Sequence, residues 1–83
     1  MDKNGYLTKN DLMILKALIN KNYYVLELVN KLKIPHKTIK ERLNHLKEFK
    51  IISYKKKGKK QEHFIIQSKK KFVEQILKVF NFF

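Results

Sequence analysis

The sequence predicts a single, mostly helical α+β domain in which three helices precede a two-stranded β-hairpin and a fourth helix follows it. Apolar residues recur every three or four positions over about 9–20, 25–32 and 35–49, which is the periodicity of helices that bury one face. The period changes to alternation over about 51–67, as in half-buried strands, and becomes helical again over about 68–81. At 83 residues the chain has room for one such domain.

The first helix carries a start signal in its sequence. Thr8 is a residue type that commonly caps helices, and Asp11 lies three positions later, where its side chain can reach back to the cap. Leu7 and Leu12 flank this turn as an apolar pair, and apolar residues continue at helical spacing until the polar run at 20–22. We therefore predict that this helix contributes mainly to the core.

Two more helices follow, separated by a sharp turn. Leu28 and Leu32 lie four residues apart on the short second helix. Pro35 disfavours a helical conformation at Ile34 and has the φ angle suited to the first turn of a new helix. The third helix has one polar and basic face. Its opposite, apolar face, which must pack on the first two helices, consists of Ile39, Leu43 and Leu46.

Basic residues are concentrated in the middle of the chain. Residues 31–60 contain twelve of the twenty Lys and Arg and only two of the seven acids, which gives this segment +10 of the net charge of +13. Five of these lysines surround Gly58, a residue that can adopt the positive φ of a hairpin tip. Because the lysines repel one another unless an anion lies nearby, the hairpin indicates nucleic-acid binding. The lysines predicted to bind phosphates are Lys55, Lys56, Lys57, Lys59 and Lys60.

Codon usage offers a second explanation for part of this charge. Lysine outnumbers arginine nineteen to one, and Asn and Ile are abundant, as expected of a protein from an AT-rich genome. The placement of lysines on a hairpin and on one face of a helix therefore supports nucleic-acid binding better than the total charge does.

The last helix carries more apolar surface than a small domain usually leaves in water. Val73 and Leu77 lie beside its main apolar stripe, and part of the helix can pack on the first helix. A subunit interface fits the remainder better than an intramolecular core, because three phenylalanines fall within the final four residues. We predict a homodimer through this helix, with an interface formed by Phe72, Ile76, Val79, Phe80 and Phe83.

Several chemistries find no support in the sequence. The absence of cysteine excludes disulfides and thiolate metal sites and fits the cytoplasm, where we expect the protein to reside. No run approaches the roughly 18 apolar residues of a membrane span. The three histidines lack a metal-binding spacing, no Gly-rich phosphate loop occurs, and the acids form no recognisable acid–base pair. We therefore expect no enzymatic activity, cofactor, metal or membrane partner, and no small-molecule effector is evident.

The stretch from Tyr24 to Ile52 carries four short motifs, namely Glu27-Leu28, Thr38-Ile39, Leu43 with Leu46, and Ile51-Ile52. In this order the motifs resemble the core of winged helix-turn-helix regulators of the MarR and ArsR kind, and the resemblance covers about residues 9–80. Two positions depart from it, since Lys33 and Lys50 stand where these families often have glycine. Because lysine tolerates positive φ poorly, either these turns relax or a small strain is accepted.

The resemblance implies a mechanism of DNA binding. The third helix would enter the major groove of double-stranded DNA, where lysine can donate to guanine, asparagine can pair with adenine and glutamate can accept from cytosine. The hairpin, which is called the wing in these families, would place its lysines on phosphates, and a dimer would read a palindromic operator. The residues expected in the groove are Lys37, Thr38, Lys40, Glu41, Asn44 and His45.

Two other functions are compatible with the same sequence. An architectural or RNA-binding protein could use the charge without reading bases, and a winged-helix interaction module could dock its apolar C-terminus on a partner protein. The acids Glu41 and Glu48 on the third helix favour specific DNA binding over nonspecific binding, because carboxylates on a phosphate-facing surface weaken nonspecific affinity.

Overall fold

The structure, a computed structural model, describes residues 7–82. Its helices are α1 (Lys9–Asn20), α2 (Val25–Leu32), α3 (His36–Glu48) and α4 (Lys70–Val79), the last preceded by a 3₁₀ turn at Gln67–Lys69. Its strands are β1 (Tyr23–Tyr24), β2 (Ile52–Lys57) and β3 (Lys60–Ile65), which form an antiparallel sheet in the order β1-β3-β2. This is a winged helix-turn-helix, as the sequence predicted.

The core surrounds α1, which packs against α2, α3, α4 and β3. The apolar stripe of α3 is buried against this helix, and the stripe of α4 that contains Val73 and Leu77 is buried as well. The side chains with the least exposure in this cluster are Ile14, Leu15, Leu28, Ile39, Leu46, Val73 and Leu77. Helical periodicity thus accounts for which faces meet in the core.

A buried ion pair ties the start of α1 to the middle of α3. The backbone N–H of Asp11 donates to Thr8 Oγ1 at 3.1 Å, and the backbone N–H of Thr8 donates to Asp11 Oδ2 at 2.9 Å, so the capping box is complete. Arg42, the only arginine of the chain, donates from Nε to Asp11 Oδ1 at 2.7 Å and from Nη2 to Oδ2 at 2.8 Å. The hydrogen bonds to Asp11 raise the pKa of Arg42 above its ordinary value. This pair holds the flank of α3 that carries Arg42 against the start of α1.

The strand β1 was not part of the sequence-based prediction. Tyr23 pairs with His63 and Tyr24 with Glu62, so β1 occupies the free edge of β3. Two residues are too few to show an alternating pattern, and their extended conformation depends on the edge that β3 offers. Because β1 runs directly into α2, it holds the start of α2 beside the β2–β3 hairpin.

The hairpin of β2 and β3 turns through two residues. Lys57 pairs with Lys60, which leaves Gly58 and Lys59 as the loop. Gly58 has φ of +65° at the first loop position, the arrangement of a type II′ turn that matches the twist of the strands. The tip of the hairpin therefore depends on the glycine that the sequence places between the lysines.

Two lysines adopt left-handed backbone conformations where helices end. Lys33, after α2, has φ of 59°, and Lys50, after α3, has φ of 60°. At the end of α3 the N–H of Lys50 bonds to the carbonyl of Lys47, and that of Ile51 bonds to the carbonyl of Leu46, which is a Schellman motif. The sequence left two alternatives for these turns, a relaxed backbone or a small strain. Because both lysines have positive φ, the chain accepts the strain.

We expect Lys33→Gly and Lys50→Gly each to raise the free energy of unfolding by about 0.5–1 kcal/mol. The left-handed conformation costs a non-glycine residue roughly 1–2 kcal/mol, and the greater chain entropy of glycine in the unfolded state offsets part of the gain. Urea unfolding followed by circular dichroism measures the change. Lys31→Gly, at an exposed helical position of α2, is the control and should lower stability by about as much. A loss of stability in Lys33→Gly would show that its backbone is unstrained.

Candidate nucleic-acid interface

A groove of about 630 Å³ runs between the start of α2, α3 and the β2–β3 hairpin. We call it the wing groove. Its lining comes from three parts of the chain that β1 and the α2–α3 turn bring together. The start of α2 contributes residues 24–27, α3 contributes His36, Lys40, Asn44 and Lys47, and the hairpin contributes Lys59, Lys60 and Gln61. The groove thus joins the two elements for which the sequence predicted contacts with nucleic acid.

The exposed face of α3 carries most of the residues predicted to enter the major groove. Lys37, Lys40, Glu41 and Asn44 are exposed, opposite the buried stripe of the helix. Thr38 and His45 are half-buried and lie on the flank that also carries Arg42. The ring of His45 packs edge to face on Phe49, with 4.7 Å between the ring centroids. The first four residues therefore form the accessible polar surface of α3, and the last two lie at its edge.

Lys47 is a residue of the wing groove that the sequence-based prediction left out. Its Nζ lies 4.7 Å from the centre of the Tyr54 ring on β2, a cation–π contact. Burial, followed by the charge of Lys40, lowers the pKa of Lys47. Lys40, Asn44 and Lys47 follow the spacing of one helix stripe, and this spacing could have identified Lys47 from the sequence.

Tyr54 extends this contact from α3 into the sheet. Its ring centroid lies 5.9 Å from that of His63, a buried residue on β3. Burial and, to a smaller extent, the charge of Lys47 together lower the pKa of His63 to about 4. His63 is therefore neutral at physiological pH and acts as a packing group. The chain of contacts from Lys47 through Tyr54 to His63 holds the wing against α3.

The five lysines of the hairpin do not form one surface. Lys59 and Lys60 line the wing groove, and Lys60 Nζ lies 5.3 Å from the ring centre of Tyr24. Lys57 Nζ is 3.2 Å from Glu62 Oε1, so its charge is partly compensated. Lys55 lines a different hollow with Lys70, and Lys56 lies opposite Gln61 in the ladder. The sequence predicted these lysines as a unit, whereas in the structure they line different hollows or pair with an acid.

The face of α4 predicted as a dimer interface is largely exposed. Phe72 is 51% exposed, Phe80 56% and Val79 77%, while Ile76 is half-buried against the core. Phe83 lies outside the described residues. A hollow of about 370 Å³ beside Phe72 and Ile76 is also lined by Leu7, Phe49 and Ile51. The apolar surface therefore continues from α4 to the end of α3, which the sequence-based prediction did not include.

Within residues 7–82, the histidine, aspartate and glutamate side chains form no group of three or more that could hold a metal ion. No helix in this range has the length and apolar character required to cross a membrane.

Comparison with known proteins connects this geometry to a family. Residues 8–54, more than half of the chain, match the sequence model of the family described as bacterial regulatory protein, arsR family. The chain belongs to the ArsR family. The match includes α1, α2, α3 and the start of β2. ArsR-family helix-turn-helix regulators bind DNA, and such regulators are generally not enzymes.

Solved structures share the fold of this ArsR-family protein at low sequence identity. The transcriptional repressor BigR from Xylella fastidiosa is 22% identical with a TM-score of 0.77, over 88% of this chain and 73% of that chain. HlyU from Vibrio cholerae is 18% identical with a TM-score of 0.77, over 87% and 79%. The homodimeric winged helix-turn-helix DNA-binding domain Mb0332 from Mycobacterium bovis is 18% identical with a TM-score of 0.78, over 87% and 68%. A search of curated proteins gave no match.

Proposed function

We propose that this ArsR-family protein is a homodimeric transcription regulator that binds double-stranded DNA at a specific sequence. In this function α3 enters the major groove and the lysines of the wing contact phosphates. The observation that supports it most is the composition of the exposed face of α3, where Glu41 and Asn44 lie among lysines. A carboxylate on a surface that meets phosphates weakens nonspecific binding, whereas it can accept a hydrogen bond from a base.

The exposed residues of α3 would divide the reading of bases among them. Lys37 and Lys40 would donate to guanine O6 or N7, Asn44 would pair with adenine, and Glu41 would accept from cytosine N4. Thr38 and His45, at the edge of this surface, would contact the backbone or a flanking base. Lys47 would add a charge where the wing groove meets the wing, although its contact with Tyr54 keeps it close to β2.

Selection from random duplexes tests this function directly. The purified protein should enrich a palindrome, with half-sites about one helical turn apart. Asn44→Ala should lose roughly ten- to a hundredfold of the preference at one position in each half-site, because the loss of a bidentate pair with a base removes discrimination. Lys16→Ala, on the exposed side of α1, removes a surface side chain away from the wing groove and should leave the preference unchanged. Enrichment of no sequence would refute the proposal in favour of nonspecific nucleic-acid binding.

The dimer would form through the apolar face of α4, comprising Phe72, Ile76, Val79, Phe80 and Phe83. The exposure of Phe72, Val79 and Phe80 supports this, as does the hollow that extends the surface to Phe49. A second copy would cover aromatic area that a small domain otherwise leaves in water. It would also present two α3 helices to one duplex, as a palindrome requires.

We expect Phe80→Glu to convert the dimer into a monomer, because a carboxylate in an apolar interface loses hydration without gaining a partner. Sedimentation equilibrium at micromolar concentration measures the change. Lys78→Glu is the control, since it places a carboxylate on the same helix about 140° away from the phenylalanines and should leave the dimer intact. A wild-type protein that is already monomeric at this concentration would show that the α4 interface is wrong.

A further inference from the structure

The wing groove contains an apolar strip among its cations. The strip lies at the start of α2 and consists of Tyr24, Val25 and Leu26. The same groove is lined by Lys40 of α3 and Lys60 of the wing. Leu26 is the most exposed of the large aliphatic side chains on α2, at 60%. A ligand that fills this groove therefore meets both positive charge and apolar surface.

Core packing does not account for Leu26. The buried side of α2 is formed by Leu28, with Val25, Val29 and Leu32 packed against the core at partial exposure. Leu26 lies about 100° from Val25 around the helix, outside this stripe. The other exposed positions of α2 carry polar side chains, namely Glu27, Asn30 and Lys31. A leucine is thus present where the fold itself requires only a residue that tolerates water.

Glu27, the acidic residue that lines the wing groove, uses its carboxylate to cap α2. Glu27 Oε1 accepts the backbone N–H of Tyr24 at 2.9 Å, which caps the helix. The lysines of the groove remain to attract an anion, and the groove lies directly beside Asn44 of α3. The partner that combines a charged backbone with an apolar group on the edge of a base pair is DNA that contains thymine, whose C5-methyl group lies in the major groove.

We propose that Leu26 reads thymine, by packing on the C5-methyl group of a base next to those that α3 reads. This inference rests on the proposed function and specifies part of the sequence that the protein prefers. The sugars of the backbone are the other apolar surface that Leu26 could meet, and they would give no base preference. The proposal therefore predicts an effect of the methyl group itself.

Replacement of thymine by uracil in the selected operator tests the proposal, because it removes only the methyl group. At one position in each half-site, replacing a single thymine should raise the dissociation constant of the wild-type protein roughly three- to fivefold, the effect of one buried methyl. Leu26→Ala should bind the thymine and uracil duplexes equally at that position. Since Leu26 is largely exposed, this variant should keep the fold, which circular dichroism verifies.

Asn30→Ala provides the matched control. Asn30 is exposed on the same helix but does not line the wing groove, so this variant should keep the full methyl effect. A methyl effect that persists in Leu26→Ala, or one that is absent from every thymine in the wild type, would overturn the proposal. If selection enriches an operator and none of its thymines shows a methyl effect, the role of Leu26 is contradicted and the proposed function is not.

If the proposed function is wrong, selection from random duplexes enriches no sequence. The comparison is then made on an AT-rich duplex with all its thymines or all uracils. A methyl preference that Leu26→Ala abolishes would still support the role of Leu26. Equal binding of both duplexes by the wild-type protein would overturn it.

Discussion

We expect replacement of Arg42 with methionine to lower the free energy of unfolding by about 3–5 kcal/mol, the range for breaking a buried pair by removal of one partner. The Asp11 side chain is fully buried, whereas 24% of the Arg42 side chain is exposed. Without the guanidinium, the Asp11 carboxylate keeps one hydrogen-bond donor among the described residues, the backbone N–H of Thr8. A domain of this size has a total stability of roughly 4–12 kcal/mol, so the variant should be close to unfolding at 37 °C. Urea unfolding at 25 °C measures the loss.

Two further variants separate the ion pair from the methylene packing of the side chain. Lys40→Met makes a similar change at an exposed position of α3 and should change stability by less than about 0.5 kcal/mol. Combining Asp11→Asn with Arg42→Met removes both charges and keeps an oxygen that can accept the N–H of Thr8, so it should recover much of the loss. If Arg42→Met alone costs less than about 1 kcal/mol, Asp11 is not held by this pair.

The start of α1 shows how far local sequence determines this fold. The capping box of Thr8 and Asp11 was predicted because its partners are three residues apart and their chemistry is local. The bond from Asp11 to Arg42 spans 31 residues, and helical periodicity places Arg42 only on a flank of α3. Which partner meets that flank depends on how α1 packs on α3. The sequence pattern therefore did not predict the ion pair between Asp11 and Arg42.

The candidate site shows a similar division between local and long-range information. Periodicity indicated that Lys37, Lys40 and Asn44 lie opposite the buried stripe of α3, because that relation is set within one helix. The contribution of Tyr24 and Leu26 to the wing groove depends on β1, which forms only on the edge of β3. A pair of residues has no period, so neither the strand nor its side of the groove was predicted.

The position of the wing lysines also depends on tertiary packing. A run of five lysines around Gly58 is visible in the sequence, and alternation along a strand shows that neighbours point to opposite faces. The face that meets α3 is decided by tertiary contacts such as that between Lys47 and Tyr54. Alternation does not separate Lys60, which lines the wing groove, from Lys57, its partner in the ladder, so only the packing of Lys60 beside Tyr24 distinguishes the two.

Replacing all five lysines of the wing with alanine should weaken the contribution of each subunit to DNA binding, on every sequence, by roughly a thousandfold near 0.15 M salt. Each phosphate contact releases counterions and contributes about 0.9 to the slope of log K against log salt, so five contacts contribute up to about 4.5 per subunit. The same term gives roughly fivefold in affinity for each contact at this salt concentration. Titrations of a fixed duplex at several salt concentrations measure both quantities. An unchanged slope would exclude the wing as a phosphate contact.

Two double variants, each of which removes two positive charges, test whether the lysines that line the wing groove contribute more to DNA binding than the others. Changing Lys59 and Lys60 to alanine removes the lysines that line the wing groove, and should lower the slope by about 1.8 per subunit. Changing Lys55 and Lys57 removes one lysine in a different hollow and one paired with Glu62, and should lower the slope by less than half as much. Because both variants lose two positive charges, a general effect of net charge would change the two slopes equally. That equal change would show that the wing does not dock on DNA through the groove it forms with α3.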